Sequence, residues 1–343
     1  MSRLLRSYLK YARGESGPSV WSLLYPCQFV TRAWMKLRIG LFNRGVFAVT
    51  DPMLPTISIG NNSFGGTNKT PMAEYIVRQF AEAGIKAGLV SRGYRAKEHP
   101  PLWIGQDAKS TRRDFAGDEP LMLAKRLPDT KVVVSRNRIE GVKLLAALGA
   151  EVAVTDDTFQ HRKMARDVDI VLVDSTCPFG NGQVIPAGSM REPMSAFGRA
   201  DIVVLTKANQ ASPGDIASIK EKLAPYVASD KIFTADIKLE RWMKITPEGE
   251  KKLPDGFLPR GRYIAISAIG NPGGFYNFLD EMGVGVALRR TYRDHHILTG
   301  EDLSRLEALA EESGADGFIC TEKDLMNMPG ELFLNRPLYV PSI

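Results

Sequence analysis

Short apolar segments separated by helical patterns place the strongest constraint on the fold of this chain. Helical patterns such as 71-PMAEYIVRQFAEAG-84 and 138-RIEGVKLLAALG-149 lie between most of these segments. Strands that are apolar along their whole length are buried on both faces, and helical crossovers connect them in parallel. We therefore predict an α/β fold, with a parallel sheet covered by helices on both faces. The apolar segments are 55-PTISIG-60, 86-KAGLVS-91, 131-KVVVS-135, 151-EVAVT-155, 168-VDIVLVD-174, 201-DIVVLTK-207 and 231-KIFTADI-237.

The pattern changes near residue 238. At 343 residues the chain exceeds the usual size of one compact core, so two domains are expected. The stretch 238–259 carries a turn between strand-like flanks, which is typical of a hairpin or linker. Further apolar segments and a helical pattern at 301–313 follow it. We predict a core domain over 51–237 and a smaller C-terminal α/β domain over 238–343, joined by this hairpin-like linker.

The first fifty residues form a third segment, 1–50, with a different pattern. Within 27–47, apolar residues recur at helical spacing and basic residues lie between them. Such a basic amphipathic helix can lie in the membrane interface, or it can pack on the core with its basic face in water. No apolar run reaches membrane-spanning length, so any membrane contact is expected to be peripheral. The apolar residues are Val30, Trp34, Leu37 and Leu41, and the basic ones are Arg32, Lys36, Arg38 and Arg44.

Charge and cysteine content exclude several classes of protein. The formal net charge of +6 is too small to imply nucleic-acid binding, and it suits an anionic substrate or a membrane surface. Cys27, Cys177 and Cys320 lie far apart, without the spacing of a zinc site or a disulfide framework. We therefore expect a reducing, cytosol-facing environment. Nothing in the sequence calls for an obligate protein partner.

The stretch 57-ISIGNNSFGGTNKTPMAEY-75 reads as a strand, a glycine-rich turn and a helix. Backbone amides of such a turn, with a helix N-terminus behind them, form a binding site for phosphate. A lysine there reaches the terminal phosphates of a nucleotide, and a threonine hydroxyl binds Mg²⁺. The sequence therefore predicts a P-loop NTPase-like nucleotide site. Its residues are Gly65, Gly66, Thr67, Asn68, Lys69 and Thr70.

This stretch departs from the standard phosphate-loop spacing at two positions. The standard pattern has glycines where this chain carries Ser63 and Asn68, while Gly65 and Gly66 supply the flexibility. Asparagine is the residue other than glycine that best tolerates a positive φ. We therefore expect the loop to keep its shape.

Asp156 and Asp157 end an apolar strand in 152-VAVTDDTFQHR-162. Carboxylates at such a strand end can hold Mg²⁺ directly or through water, which a P-loop enzyme requires. An Asp-Asp pair is also a common turn after a strand. The phosphate loop upstream favours the metal site, with Thr70 as a further ligand.

Acidic and histidine residues occur at two more places. Asp118 and Glu119 open a helical pattern, where acidic residues are ordinarily caps. In 293-RDHHILTGEDL-303, His295 and His296 stand beside an aspartate. Histidine suits proton transfer near neutral pH, but one ring of the pair could equally cap the next helix.

Two segments carry arginines that could contact phosphate. The glycine-rich segment 180-GNGQVIPAGSMREP-193 ends in Arg191 and Glu192, and its irregular composition is typical of a substrate loop. The fork of an arginine matches phosphate geometry, although a surface ion pair explains the same residues. Ser91 and Arg92 follow another strand and are either phosphate-facing or solvated.

Taken in order, these segments resemble the tetraacyldisaccharide 4'-kinases, the lipid A 4'-kinases of Gram-negative bacteria. The resemblance covers roughly residues 55 to 325, and the ordered set is far more specific than any single segment. The matching segments are GNNSFGGTNKTP, LVSRGY, AGDEP, DDTFQHR with RDVDIVLVD, GNGQVIPAGSMREP, VLTK, RDHH and TEKD.

The resemblance implies transfer of the γ-phosphate of ATP, with Mg²⁺, to the 4'-hydroxyl of a tetraacyldisaccharide 1-phosphate, the lipid A precursor. It implies that Asp118 pairs with His295 to activate that hydroxyl, and that Lys69 contributes to catalysis. By the same resemblance, Asp156 and Asp157 are associated with magnesium, and a substrate-loop pair matches Arg191–Glu192. It also implies that the N-terminal helix contacts the cytoplasmic face of the inner membrane.

Two glycines of that family are replaced here, by Asn68 and by Thr158. Both replacements bear on nucleotide affinity, and they leave two alternatives open. One is a membrane-associated P-loop ATPase or GTPase switch, which would lack a base for a sugar hydroxyl. The other is a non-catalytic relative that binds nucleotide or lipid without turnover.

Overall fold

The computed structural model describes residues 3–93, 96–97, 100–105, 113–246, 249–294, 296–328 and 334–343. By its contacts the chain divides into two compact units, Met1–Ile237 and Lys238–Ile343. The predicted core domain and the N-terminal segment both lie within the first unit.

The first unit is built on an eight-stranded sheet with strand order β3-β4-β2-β5-β1-β6-β7-β8. Every neighbouring pair is parallel except β3–β4, which is antiparallel. The strands are β1 (Thr56–Asn61), β2 (Ala87–Ser91), β3 (Leu102–Ile104), β4 (Lys131–Val134), β5 (Val152–Asp156), β6 (Val168–Asp174), β7 (Ile202–Thr206) and β8 (Ile232–Ala235). The helices are α1 (Arg3–Ala12), α2 (Cys27–Asn43), α3 (Lys69–Glu82), α4 (Arg113–Ala116), α5 (Asp118–Arg126), α6 (Arg138–Ala147) and α7 (Pro213–Leu223).

Helices cover both faces of this sheet, which confirms the predicted fold class. Side chains from α3 and α5 pack in one buried cluster with Leu172 of β6. The next residue, Val173, points to the other face, where it packs in a cluster with α7. Alternate residues of one strand therefore enter different cores, as a strand buried on both faces requires. Each of the apolar segments predicted between residues 55 and 237 forms a strand of this sheet, and the short antiparallel β3 was not predicted.

The second unit contains a six-stranded sheet with order β10-β9-β14-β13-β11-β12. Its strands are β9 (Arg241–Thr246), β10 (Gly249–Lys252), β11 (Tyr263–Ser267), β12 (Val286–Thr291), β13 (Gly317–Cys320) and β14 (Leu338–Ser342), and its helices are α8 (Pro272–Glu281), α9 (Gly300–Ser313) and α10 (Glu322–Leu325). The hairpin predicted as a linker is β9–β10, and β9 pairs antiparallel with β14. The hairpin is therefore part of the second sheet, because β9 forms backbone hydrogen bonds with β14.

Helix α2 forms where the basic amphipathic pattern predicted it. Trp34 and Leu37 are exposed by 60% and 55%, whereas Gln28 and Phe42 are buried. The helix therefore contacts the protein with some side chains and exposes large apolar side chains with others. Within the described residues, none of the helices has the length and apolar character needed to cross a bilayer.

Gly60 allows β1 to approach the chain that follows β5. A Cβ at position 60 would lie 2.5 Å from the Cβ of Phe159 and 2.9 Å from its backbone nitrogen. Phe159 is fully buried, so neither group can move away easily.

We expect Gly60→Ala to lower the free energy of unfolding of the first unit by about 1–3 kcal/mol through overpacking. Urea unfolding monitored by circular dichroism measures this loss. Gly40→Ala is the control, because a Cβ there meets nothing within 4 Å, and alanine in a helix is favoured over glycine by up to ~1 kcal/mol. Equal stability of Gly60→Ala and the native chain would contradict the close approach.

Candidate active site

The predicted phosphate loop connects β1 to α3, which begins at Lys69. Gly65 has φ +138°, a backbone conformation that residues with side chains rarely adopt. Asn68 directly precedes the helix in the left-handed conformation, with φ 59° and ψ 38°, and its side chain makes no capping hydrogen bond. The loop therefore has the strand, turn and helix that a phosphate cradle needs, with asparagine in the position of positive φ.

Asn61, at the end of β1, fixes the loop from inside. Its Nδ2 donates to the carbonyl of Ser63 at 2.8 Å and to Oγ1 of Thr67 at 2.9 Å. Asn61 and Thr67 are both buried, so these bonds are shielded from water. The amide side chain of Asn61 thus links the two ends of the turn.

Asp156 lies at the end of β5, next to β1, because Ile59 pairs with Asp156 in the parallel register. The carboxylate is 5% exposed, and its Oδ1 has no hydrogen-bond partner among the described residues. Burial raises the pKa of Asp156 to about 7; Lys69 opposes this rise, and the carboxylate of Glu119 adds to it. A buried carboxylate in this state favours a bound cation.

Asp157 adopts the left-handed conformation, with φ 53°. Its Oδ1 lies 2.7 Å from Nη1 of Arg191 and 3.8 Å from Nζ of Lys69. Burial alone would raise the pKa of Asp157, but Lys69 and Arg191 outweigh it and hold the pKa below its ordinary value. Asp157 thus stays ionised and brings the phosphate-loop lysine and the substrate-loop arginine to one carboxylate.

The oxygen ligands needed for Mg²⁺ are gathered at this edge of the sheet. Oγ1 of Thr70 donates to Oε2 of Glu119 at 3.4 Å, and Glu119 is close enough to Asp156 to affect its pKa. In the described part of the chain, no three His, Cys, Asp or Glu side chains form a ready-made metal cage. Mg²⁺ is usually held by one or two carboxylates together with substrate phosphates, so this donor set fits the ion.

The remaining predicted residues of the first unit lie around this cluster. Asp118 and Glu119 form the first turn of α5, after Gly117. Ser91, at the end of β2, is buried, and its carbonyl accepts from the Ser135 amide at 2.9 Å. Arg92 is exposed; burial lowers the pKa of the neighbouring Arg138, and the charge of Arg92 lowers it further.

The substrate loop is joined to the phosphate loop through Asn62. The side chain of Asn62 donates to the carbonyl of Glu192 at 2.8 Å and accepts from its amide at 2.9 Å. The backbone of Asn62 accepts from the amide of Arg191 at 2.8 Å. The carboxylate of Glu192 is buried and bound by Arg199 at 2.6 Å. Arg191 therefore contacts the cluster through Asp157, while Glu192 stabilises the substrate loop through Arg199.

His295 lies outside the described residues, so its predicted pairing with Asp118 remains a prediction. The adjacent His296 is described: its Nε2 lies 2.9 Å from Oδ2 of Asp302, in the first turn of α9. Its ring also stacks on Tyr292, with centroids 4.9 Å apart. His296 thus contacts an acidic side chain in the first turn of the next helix, whose N-cap is Thr299 and not a histidine.

Sequence reasoning missed Gln160 and Arg138 as parts of the site. Gln160 accepts from Nη1 of Arg191 at 3.2 Å and donates to the carbonyl of Asn61 at 2.8 Å. Arg138 is buried at the start of α6 and donates to the carbonyl of Asp156 at 3.2 Å. Gln160 lies three residues after Asp157 and could have been identified from the sequence. Arg138 begins a helix 18 residues before Asp156, and no local pattern relates the two.

A parallel sheet, a glycine-turn phosphate cradle and a paired aspartate at the next strand end define a P-loop phosphotransferase. The model of the family described as tetraacyldisaccharide-1-P 4'-kinase matches residues 20–341. The chain belongs to this family.

Individual relatives match over most of their length. A tetraacyldisaccharide 4'-kinase from Anaeromyxobacter sp. (strain K) is 35% identical over 97% of this chain and 88% of its own. One from Syntrophotalea carbinolica is 35% identical over 96% and 90%. The crystal structure of LpxK from Aquifex aeolicus, described as an apo form in complex with ATP, matches with a TM-score of 0.70 and 27% identity, covering 94% of both chains.

We expect Asn68→Gly to leave nucleoside triphosphate affinity unchanged or to raise it, because glycine adopts the left-handed conformation without strain. Asn68→Ala should weaken binding, since the left-handed conformation costs alanine roughly 1–2 kcal/mol. Calorimetric dissociation constants with Mg²⁺ measure both effects. A loss of more than about tenfold for Asn68→Gly, or 1.4 kcal/mol, would show that the asparagine side chain itself contributes to binding.

Proposed function

We propose that this protein is an ATP- and Mg²⁺-dependent kinase. It transfers the γ-phosphate of ATP to the 4'-hydroxyl of a tetraacyldisaccharide 1-phosphate, a step of lipid A biosynthesis. The observation that carries the proposal is the meeting of Lys69 and Arg191 at the Asp157 carboxylate. It occurs in a chain whose residues 20–341 match the 4'-kinase family.

Phosphoryl transfer depends on positioning and on neutralising charge. The amides at the start of α3 and the Lys69 ammonium bind the terminal phosphates. Arg191 turns from Asp157 toward the transferred phosphoryl group, where its fork stabilises the developing charge. Asp156, Asp157 and Thr70 would hold Mg²⁺, which would supply positive charge to neutralise the charge of the phosphates.

In the proposed mechanism, Asp118 and His295 remove the proton of the sugar hydroxyl. The Asp118 carboxylate orients the imidazole and stabilises the imidazolium that forms as the hydroxyl attacks. Ser91, Arg92 and Glu119 contribute to acceptor binding. The assignment of these roles rests on the match of AGDEP, LVSRGY and RDHH to the family.

The kinase proposal predicts phosphate transfer by the native protein in detergent micelles with Mg²⁺, ATP and the disaccharide 1-phosphate. Lys69→Ala and Asp118→Ala should each lower kcat by about 10²–10⁴. His295→Ala should match Asp118→Ala, and the double variant should fall little further, because the two residues act as a unit. Transfer of radiolabelled phosphate measures these rates.

The control is Lys220→Ala, which removes an exposed lysine on α7 and should keep native activity. Three outcomes would overturn parts of the proposal. ATP hydrolysis without transfer would favour a P-loop switch, and ATP binding without turnover would favour a non-catalytic relative. Additive losses for Asp118 and His295 would disprove their pairing.

The protein is further proposed to lie peripherally on the cytoplasmic face of the inner membrane through α2. Trp34 and Leu37 expose apolar surface on this helix, as does Val30. Arg32 and Lys36 lie on the same helix and can bind anionic headgroups. This arrangement supports the interfacial alternative over a helix that packs only on the core.

We expect the double variant Trp34→Ser/Leu37→Ser to lower partitioning onto phosphatidylglycerol-containing vesicles by at least about tenfold, from the lost apolar burial. Co-sedimentation measures the bound fraction. Phe233→Ser is the matched control, because Phe233 is 53% exposed on the edge strand β8. Equal partitioning of the double variant and the control would disprove membrane contact through α2.

A further inference from the structure

Helix α1 lies against the substrate loop, residues 180–193. The hydroxyl of Tyr8 donates to the carbonyl of Pro186, 178 residues away, at 3.0 Å and lies 3.5 Å from the carbonyl oxygen of Gly188. Burial raises the pKa of Tyr8, and the nearby Tyr11 raises it further, so the hydroxyl keeps its proton and remains a donor. This hydrogen bond fixes one point of the loop to the helix.

A second contact between helix and loop lies at the end of α1. The amide of Asn181 donates to the carbonyl of Ala12 at 3.0 Å. Gly180, with φ +55°, leaves no room for a side chain, because a Cβ there would lie 2.4 Å from the carbonyl oxygen of Ala12 and 2.1 Å from Oγ of Ser189. The helix therefore meets the loop both near its beginning and near its end.

Trp21 packs against the ring of Tyr8. The two rings meet edge to face with centroids 5.4 Å apart, and Nε1 of Trp21 donates to Oγ of Ser7 at 3.1 Å. In the first turn of α1, by contrast, Leu4 and Leu5 are exposed by 69% and 46%. The attachment of α1 to the loop is therefore made by Tyr8 and the residues after it, and Trp21 orients the tyrosine ring.

The substrate loop is also bonded to the phosphate loop. The amide of Phe64 donates to the carbonyl of Ser189 at 2.9 Å, and the amide of Arg191 donates to the carbonyl of Asn62 at 2.8 Å. From this position, Nη1 of Arg191 reaches Oδ1 of Asp157 at 2.7 Å. A short run of backbone therefore connects the contact with α1 to the side chain at the reaction site.

Backbone hydrogen bonds close the substrate loop on itself. The amide of Ile185 donates to the carbonyl of Met190 at 3.0 Å, and the amide of Met190 donates to the carbonyl of Gln183 at 3.1 Å. Pro186 is thus one residue from a backbone pair whose other member directly precedes Arg191. A displacement of Pro186 is passed through this pair to the backbone of Arg191.

We propose that Tyr8 is a positioning residue for phosphoryl transfer: through its hydrogen bond to Pro186, it holds the substrate loop so that Arg191 lies where the transferred group passes. The inference rests on the proposed function. It adds to that function an element ahead of residues 20–341, the part of the chain that matches the family model. Tyr8 acts on the reaction through Arg191 and not by contact with the substrate.

The nucleotide side of the site has supports of its own. Asn61 fixes the phosphate loop from inside through its bonds to Ser63 and Thr67, and these bonds do not depend on α1. Loss of the Tyr8 hydroxyl is therefore expected to slow the transfer step and to leave ATP affinity unchanged. This division separates a positioning role from a general loosening of the site.

The test is Tyr8→Phe, which keeps the ring beside Trp21 and removes only the hydroxyl. We expect kcat for phosphate transfer to fall about threefold to tenfold, the effect of one net hydrogen bond, with the KM for ATP unchanged. In an Arg191→Ala background the same change should have no further effect on kcat, because Tyr8 acts through Arg191. Transfer of radiolabelled phosphate in detergent micelles measures the four rates.

Two kinetic outcomes would overturn the inference. A native kcat in Tyr8→Phe would show that the hydroxyl has no part in the reaction. Equal losses from Tyr8→Phe in the native and Arg191→Ala backgrounds would indicate a structural role that is independent of Arg191.

Hydrogen exchange gives a readout that does not depend on turnover. In Tyr8→Phe, the amides of Ile185, Ala187 and Met190 should exchange about threefold to tenfold faster, because the loop opens more often without its bond to α1. Tyr226→Phe is the matched control, since it removes the hydroxyl of a tyrosine that follows α7 and is 39% exposed. The control should keep the native kcat and exchange rates, and unchanged exchange in Tyr8→Phe would overturn the inference.

The two measurements also separate this inference from the proposed function. Absence of transfer by the native protein, together with faster exchange in Tyr8→Phe, would refute the kinase activity and leave the attachment of the loop to α1 standing. Transfer by the native protein, with neither kcat nor exchange altered in Tyr8→Phe, would refute the positioning role alone.

Discussion

Strands β1 and β5 pair in parallel with Ile59 opposite Asp156, and this register holds the phosphate loop beside the two aspartates. The carboxyl ends of parallel strands meet at one edge, so the residues that follow them are neighbours in space. Lys69 enters from the helix after β1, and Asp157 from the turn after β5. Their ion pair at 3.8 Å is a consequence of strand order.

Local sequence patterns predicted the strands and the helix on which the site residues lie. The apolar segments predicted the strands, and the glycine turn before Lys69 predicted the junction of β1 with α3, because period and turn chemistry are encoded by neighbouring residues. Contacts between distant segments were not predictable in this way. The two hydrogen bonds between Asn62 and Glu192 span 130 residues, and neither local sequence predicts them. The short edge strand β3 was missed for lack of an apolar run of ordinary length.

The directions in which side chains point were also not predictable from the sequence. Arg191 and Glu192 are adjacent and were treated as one pair, yet the first binds Asp157 and the second binds Arg199. The two adjacent side chains therefore have different tasks: Arg191 belongs to the site, and Glu192 supports the loop.

The two departures from the family pattern are both accommodated by the surrounding structure. Asn68 takes the left-handed conformation that glycine would otherwise provide. Thr158 is fully buried, and its hydroxyl bonds with Ser58 Oγ at 2.9 Å and Thr155 Oγ1 at 2.8 Å. A buried hydroxyl is costly only when it lacks partners. Because these partners come from β1 and β5, the threonine adds a link between the same strands whose pairing positions the site, and the turn of Asp156 and Asp157 keeps its support.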